Sequence, residues 1–394
     1  MRILMAVPKY PLPVVGGLER QAHELSKALI ARGHVVHVLS GRFDPVQHDI
    51  DLIDGVPIHR LPWSELKLQR FLRLSFSLMR ILVKLRPMVD IVHVHNISWF
   101  GGFITLFAKM LNLPVLTKLP NIGEFGIPGI RQGPLGLLRI ALLKSSDAII
   151  AMTPDSVVEL AGVGYPAMRV LKVTNGISLL PVNRVSLSPC ASDAVRVIFV
   201  GRLSPEKGLA DLLHAWVTVK AGVARNVKLR LIGEGPQEDE LKALAQALNL
   251  VELVEFCGFC ADVPAELAQA DLFVLPSLAE GNSNAILEAM RAGLPIVTTN
   301  VGGAAIQVGN EGEGFLCNPG DREALARHLM TLIADQALRD RLGAAMRSRV
   351  ESIFAIDQVA AVYEQAYQLL IAGHRQQIGQ INPNLFEPRT KGTC

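Results

Sequence analysis

Short apolar runs alternate with amphipathic stretches along nearly the whole chain. The run RILMAV (2–7) leads into a loop holding Pro8, Pro11, Pro13 and the pair Gly16-Gly17. Helical spacing follows from Leu18 to Arg32, with Gly33 placed to end that helix. VVHVLS (35–40) comes next, and β-loop-α-β in this order predicts the start of a parallel sheet. Further strands are predicted at 91–96, 114–118, 148–153 and 169–174. The segment NGISLLPVNRVSLSPCASDAVR (175–196) breaks the pattern with two prolines and small polar residues. After it the pattern restarts, with strands predicted at 195–201, 227–233, 253–258, 271–277, 295–300 and 314–317. Three helices are predicted at 321–334, 336–352 and 357–372. Near-continuous apolar runs suit strands buried on both faces. The expected fold class is therefore α/β, with two Rossmann-like doubly wound domains facing a central cleft. The expected divisions are 1–183, 184–355, a last helix within 356–373, and a mobile tail over 374–394, where no period is visible.

Composition agrees with this picture and adds one asymmetry. A chain of 394 residues, half of them hydrophobic and 19% charged, has the apolar material for two cores. The net charge of +3 hides 21 Lys/Arg against 12 Asp/Glu in residues 1–186, and 18 against 24 in 187–394. A first half at +9 points to an anionic partner. Its cations are not interleaved with aromatics, so nucleic acid is not expected. No leader pattern opens the chain, and no apolar run reaches the about 18 residues of a spanning helix. The five cysteines show no disulfide framework, and Cys257 and Cys260 in CGFC lack a second pair to complete a zinc site. The expected location is cytoplasmic.

Doubly wound sheets bind ligands at the carboxyl ends of their strands. In the second half those positions hold GRLSPEKG (201–208), GEGP (233–236), GFCADV (258–263) and EGNSNAILE (280–288). Arg202 offers a planar fork and Lys207 a point charge, a pair suited to a diphosphate. The flanking Gly201 and Gly208 let the backbone approach. This loop is neither a Walker A nor a GxGxxG sequence, so it supports neither ATPase nor dinucleotide binding. Glu280 stands just before a helix predicted to start at Ser283 or Asn284, whose free N–H groups attract phosphate. Glu288 lies about one and a half turns into that helix. Eight residues span at most ~12 Å as helix, the reach of a sugar–diphosphate–ribose unit. Two ordinary helix carboxylates are the plainer reading of that spacing taken alone.

Taken together, GRLSPEKG, GEGP, PSLAEGNSNAILEAMRAGLP and TTNVGG (298–303) resemble the retaining glycosyltransferases of family 4, which have the GT-B fold. The resemblance runs from Gly16-Gly17 to the last helices and is strongest over 195–320. It implies that Arg202 and Lys207 bind the donor's phosphates, that Glu280 contacts the transferred sugar and that Glu288 contacts the ribose. Glu280, Arg202 and Lys207 are thereby the expected catalytic residues. Donor contacts are expected further at Gly201, Gly233, Gly235, Phe259, Gly281, Asn282, Ser283 and Asn284, with Gly16 and Gly17 closing over the diphosphate. The resemblance also implies an acceptor-binding domain at 1–183, a nucleotide-sugar domain at 184–355, and a last helix returning to the first domain. No cofactor is expected, and without an Asp-x-Asp motif no metal site is expected either.

Two features bear on the acceptor. Many relatives carry a His just after the strand matched by PVLTK, whereas this chain reads Lys118, Leu119, Pro120 and Asn121. Lys118, Asn121 and His95 are the acceptor-side candidates. In the segment 66–87, Arg70, Arg73, Arg80 and Lys84 fall within a stripe of roughly 80°, so this helix can lie on an anionic membrane surface; a domain helix packed on the sheet with a solvated basic edge is the plainer reading. The expected function is transfer of a sugar from a nucleotide sugar, UDP favoured over GDP, to an acceptor such as a lipid-linked saccharide in surface polysaccharide assembly. The expected enzyme is peripheral at the inner face of the plasma membrane. A 2-epimerase of the same fold and a non-catalytic nucleotide-sugar binder are the alternatives.

Overall fold

The computed structural model describes residues 1–10, 16–44, 46–62, 68–179, 194–383 and 385–386, without the side chains of 62, 68–74, 125, 311 and 313. The chain divides into two units, Met1–Ser178 with Ile356–Cys394, and Leu179–Ala355. The expected boundary at 183–184 lies outside the described residues.

The first unit opens with β1 (Arg2–Ala6), α1 (Gly17–Ala31), β2 (Val35–Arg42), β3 (Ile50–Ile53) and β4 (Val56–Pro62). It continues through α2 (Leu68–Leu85), β5 (Ile91–Val94), α3 (Trp99–Met110), β6 (Val115–Lys118) and α4 (Ile127–Gln132). α5 (Gly136–Lys144), β7 (Ala148–Ala151), α6 (Pro154–Gly162) and β8 (Val170–Lys172) complete the sheet and its helices. The strand order is β3-β4-β2-β1-β5-β6-β7-β8. All neighbours are parallel except the hairpin β3–β4. That hairpin adds to the expected strands, and its signal is Asp54-Gly55, both at positive φ, between alternating apolar residues.

Burial follows the pleat. Ile3 and Met5 of β1 face one core, with α1 and the end of the chain, while Leu4 and Ala6 face another with α2 and α3. The last helix, α14 (Ile356–Ile371), covers the first of these faces with Tyr363 and Tyr367, both fully buried. The segment after α14 begins the expected tail. Residues Arg375–Gln380 form a 3-10 turn, and Ile378 and Ile381 are buried in the same core, because two spaced isoleucines suffice to anchor a polar segment. Residues 384 and 387–394 lie outside the described residues.

The second unit begins with β9 (Val195–Val200), α7 (Leu209–Gly222), β10 (Val227–Ile232), α8 (Glu238–Ala247) and β11 (Val254–Gly258). Next come α9 (Val263–Ala268), β12 (Leu272–Leu275), α10 (Asn284–Arg291), β13 (Ile296–Thr299) and α11 (Ala304–Gly312), the last broken at Gly309. β14 (Leu316–Cys317), α12 (Arg322–Ala334) and α13 (Gln336–Ile353) close it. Its six strands run in the order β11-β10-β9-β12-β13-β14, all parallel. The order reverses between β9 and β12, which makes their carboxyl ends the switch point where doubly wound sheets take ligands. Phe199, Phe273 and Trp216 fill the interior beside them.

Candidate active site

The loops after β9 and β12 are joined across this switch point. After Gly201 the chain makes a 3-10 turn, Pro205–Lys207, and Gly208 then enters the left-handed region at φ 64° before α7. A Cβ at Gly208 would collide with the Pro276 carbonyl, so the first loop is seated directly on the second. The Glu206 carbonyl accepts the N–H groups of Leu278 and Ala279 at 2.8 and 3.4 Å. These contacts bring the Lys207 Nζ to 2.5 Å from Glu280 Oε1, while the Ser277 hydroxyl donates to the same oxygen at 2.9 Å. The pair is shielded but not closed off, with side chains 19% and 14% exposed. Arg202 stands exposed on the same loop.

Glu280 leads into α10 through Gly281 and Asn282. Ser283 caps that helix, its hydroxyl accepting from Ile286 N–H at 3.5 Å. Asn282 and Ser283 are buried, while Gly281 and Asn284 are half-buried. Glu288 is buried as well, at 5% exposure, and is not a solvated helix carboxylate. The loop before the helix is held from behind. Gln307 of α11, completely buried, donates to the Ser283 carbonyl at 2.7 Å and accepts from Ser283 N–H at 3.3 Å. Gly303 N–H donates to the Gly281 carbonyl at 2.7 Å. Gln307 is a site residue that no motif flagged, since a polar residue in a helix acquires this role only when the helix is brought against the loop.

Gly302 gives a direct test of this support. Its φ is 54°, and a Cβ there would run into the carbonyls of Glu280 and Gly281. Gly302→Ala is expected to cost about 2 kcal/mol of stability, from backbone strain and overpacking. It should also weaken nucleotide binding more than a surface change of equal stability cost. Chemical denaturation and titration of the same preparation would show both effects.

The remaining donor-side candidates flank this pair. Gly233 N–H donates to the Gly258 carbonyl at 2.8 Å, and Leu203 N–H to the Glu234 carbonyl at 2.9 Å, so the loops after β9, β10 and β11 share one backbone network. A Cβ at Gly235 would meet the Leu203 backbone. Phe259 is 72% exposed, with its N–H on Glu234 Oε1 at 3.3 Å. Cys257, Cys260 and Cys317 are free thiols. Among the described residues, no three His, Cys, Asp or Glu side chains gather into a group able to hold a metal ion.

The first unit holds the other candidates. Gly16 is the residue before α1 and Gly17 its first residue, after β1 at that sheet's own switch point. Burial pushes the Glu19 carboxyl in the same turn above its ordinary range. His95 follows β5 and is buried, its Nε2 3.3 Å from the Met5 sulfur and its ring stacked on His93 at 4.0 Å. His93 Nδ1 lies 2.7 Å from the Tyr367 hydroxyl. Burial drives both imidazoles well below their ordinary value, so both are neutral. Lys118 ends β6 in the same interior, 5% exposed, donating to Asn175 Oδ1 at 2.8 Å. Its ammonium is pushed down to about 8 by burial. Asn121 is exposed.

Two family descriptions match the two halves of the chain: Glycosyltransferase Family 4 over 15–179 and Glycosyl transferases group 1 over 189–349. The chain is 30% identical to a glycogen synthase of Mycobacterium tuberculosis over 95% of its own length and 96% of the relative's. It belongs to the family 4 glycosyltransferases. This glycosyltransferase is also 30% identical to the lipopolysaccharide core biosynthesis glycosyltransferase LpsE of Rhizobium meliloti, over 63% of the enzyme and 71% of LpsE. Among solved structures it resembles Anabaena HepE in complex with UDP and glucose. The TM-score is 0.76, with 20% identity over 93% of this chain and 99% of that one. That likeness is one of fold, the GT-B arrangement of two Rossmann-like domains with parallel sheets.

Proposed function

We propose that the enzyme transfers a sugar from a UDP-sugar to a lipid-linked saccharide, with retained anomeric configuration. The observation that carries the donor reading is the Lys207–Glu280 pair at the β9/β12 switch point, beside the start of α10. As the glycosidic bond breaks, negative charge grows on the departing diphosphate. Fixed charge from Arg202 and Lys207, with the positive dipole end of α10, lowers the barrier to that step. Glu280 contacts the transferred sugar, and buried Glu288 accepts from the ribose hydroxyls. Attack from the front face lets the leaving diphosphate take the acceptor's proton. A UDP donor is supported by the UDP and glucose in the HepE structure. A lipid-linked acceptor is supported by LpsE and by the basic first half. His95, Lys118 and Asn121 are the acceptor-side groups in this reading, and the charge on the diphosphate needs no metal.

Melting the enzyme with UDP, GDP, ADP and NAD, each with and without EDTA, tests the donor reading. A ligand at about 100 times its Kd stabilises by ~2.7 kcal/mol, a rise of several degrees. A rise with UDP that exceeds the others and ignores EDTA is expected. A rise with NAD alone, or none with any nucleoside diphosphate, would overturn the reading.

A further inference from the structure

A second feature of the first unit faces away from the sheet. α3, WFGGFITLFAKM, contains one charged residue, Lys109, and that ammonium is held by Asp147 at 2.7 and 2.8 Å. A helix apolar on every side belongs in an interior or in lipid. Phe100, Ile104 and Ala108 do face the core, but the opposite side is open. At its edge, half-buried Trp99 stacks on Phe103 with ring centroids 5.8 Å apart, and Phe103 is tilted against Phe107 at 6.1 Å, both phenylalanines packing on that core. Met110 is 62% exposed beside these rings, and Leu106 is exposed too. α5 lies alongside, with Gly102 against Leu142, and presents Leu137 at 75% exposure and Leu138 at 49%.

The flanks are cationic. Residues 68–147 contain ten Lys/Arg and three Asp/Glu, the acids being Asp90, Glu124 and Asp147, with Lys109 held by Asp147 and Lys118 buried. Asp90 is taken up by Arg2 at 2.5 Å. Arg80 and Lys84 stand exposed on α2, on one side of α3, and Arg131 and Lys144 on the α4–α5 side. An apolar centre between cationic flanks could meet either a second copy of this chain or an anionic surface. A second copy would set the same cations against each other, which the charge disfavours. An anionic bilayer satisfies both the centre and the flanks.

We infer that the outer face of α3 and α5 seats on an anionic lipid bilayer, with α2 beside it contributing exposed Phe76 and Val83 together with its cations. This refines the expected contact through 66–87. Residues 66–67 and the side chains of Arg70 and Arg73 lie outside the described residues, and exposed apolar side chains stand on α3 and α5 as well as on α2, where Phe76 is 71% and Val83 51% exposed. Among the described residues, no helix is long and apolar enough to cross the bilayer, so the contact is with its surface. The inference deepens the lipid-linked acceptor reading. Its test uses neither donor nor acceptor, so the two can fail separately.

The full chain is spun with vesicles of phosphatidylcholine alone, or of phosphatidylcholine mixed with phosphatidylglycerol. Pelleting with the anionic vesicles only, weakened by salt, is expected. Leu106→Glu combined with Leu137→Glu should lower partitioning by about tenfold or more, because two carboxylates replace the inserting leucines. Arg80→Glu should lower it by about fivefold while leaving the apolar face intact. Leu138→Ser, a milder change at an exposed site, serves if the double variant fails to keep the wild-type melting temperature, and it should also reduce pelleting. Absence of pelleting with anionic vesicles, or pelleting unchanged in the leucine variants, would overturn the inference. So would a concentration-dependent dimer that the leucine variants abolish, which would assign the face to a second copy.

Discussion

Exchanging Lys207 for methionine is expected to cut turnover by about two to three orders of magnitude and to remove the stabilisation by UDP. The size follows from removing one fixed charge aimed at a developing anion in a shielded site. Lys207 is placed for this by backbone. The 3-10 turn and the left-handed Gly208 seat its loop on Pro276, and the Glu206 carbonyl ties that loop to the β12 loop. Its ammonium is held at 2.5 Å by Glu280. Donor binding therefore has to share a lysine that already has a partner. Glu280→Gln consequently separates the two roles. It leaves Lys207 with its full charge for the diphosphate, so stabilisation by UDP should persist or grow while turnover falls through the lost sugar contact. Lys207→Met should lose both. Each variant also breaks a charge-assisted hydrogen bond, at a cost of about 1.5–3 kcal/mol at most, with the partial exposure of the pair pulling toward the lower end. Nucleoside-diphosphate release and nucleotide-dependent melting, measured on both variants, check this. A Lys207→Met enzyme that still melts higher with UDP would remove this lysine from the phosphate site.

The sequence and the structure agree best where one physical requirement dominates. Strands buried on both faces leave unbroken apolar runs, so both sheets were legible from runs such as RILMAV and DLFVLP. The β3–β4 hairpin is different. One of its strands lies at the sheet edge with Ile50 and Leu52 exposed, so it shows no continuous run, and only Asp54-Gly55 marks it. Arg202, Lys207 and Glu280 stand out in the sequence as charged residues at strand ends, and the structure brings Lys207 and Glu280 together there. Gln307 does not stand out, because its role arises only when α11 is carried against the loop before α10. The burial of Glu288 is similarly tertiary: a glutamate in a short amphipathic helix reads as solvated until its neighbours close over it. Ile378 and Ile381 are too sparse to form a period, yet they hold the segment after α14 in the core.

Lys118 offers the clearest separation of stability from function, since its replacement by methionine is expected to strengthen the fold. The ammonium is buried beside Asn175 and two neutral imidazoles, and burial pushes it from 10.5 down to about 8. The folded chain thus disfavours a proton that the unfolded chain binds up to its ordinary value. At about 1.4 kcal/mol per unit, carrying that charge costs roughly 3 kcal/mol at pH 7. Between pH 8 and 10.5 the unfolded state binds the extra proton, so this group's contribution to stability rises with pH across that window and falls as pH drops toward 8. Cys317, pushed up to about 11 by burial, and buried Tyr363 and Tyr367, also raised, act in the opposite sense over the upper part of the range. The difference between Lys118→Met and wild type isolates the lysine: the variant should be the more stable at pH 7, and the gap should close toward pH 10.5. His93 and His95, neutral throughout, leave the difference unchanged. A lysine that weakens the fold this much has a reason to stay only if its charge is used. Lys118→Met is therefore expected to lose turnover with acceptor while gaining stability and keeping its response to UDP. Full turnover in the stabilised variant would remove Lys118 from the acceptor side and leave its charge without a role in the reaction.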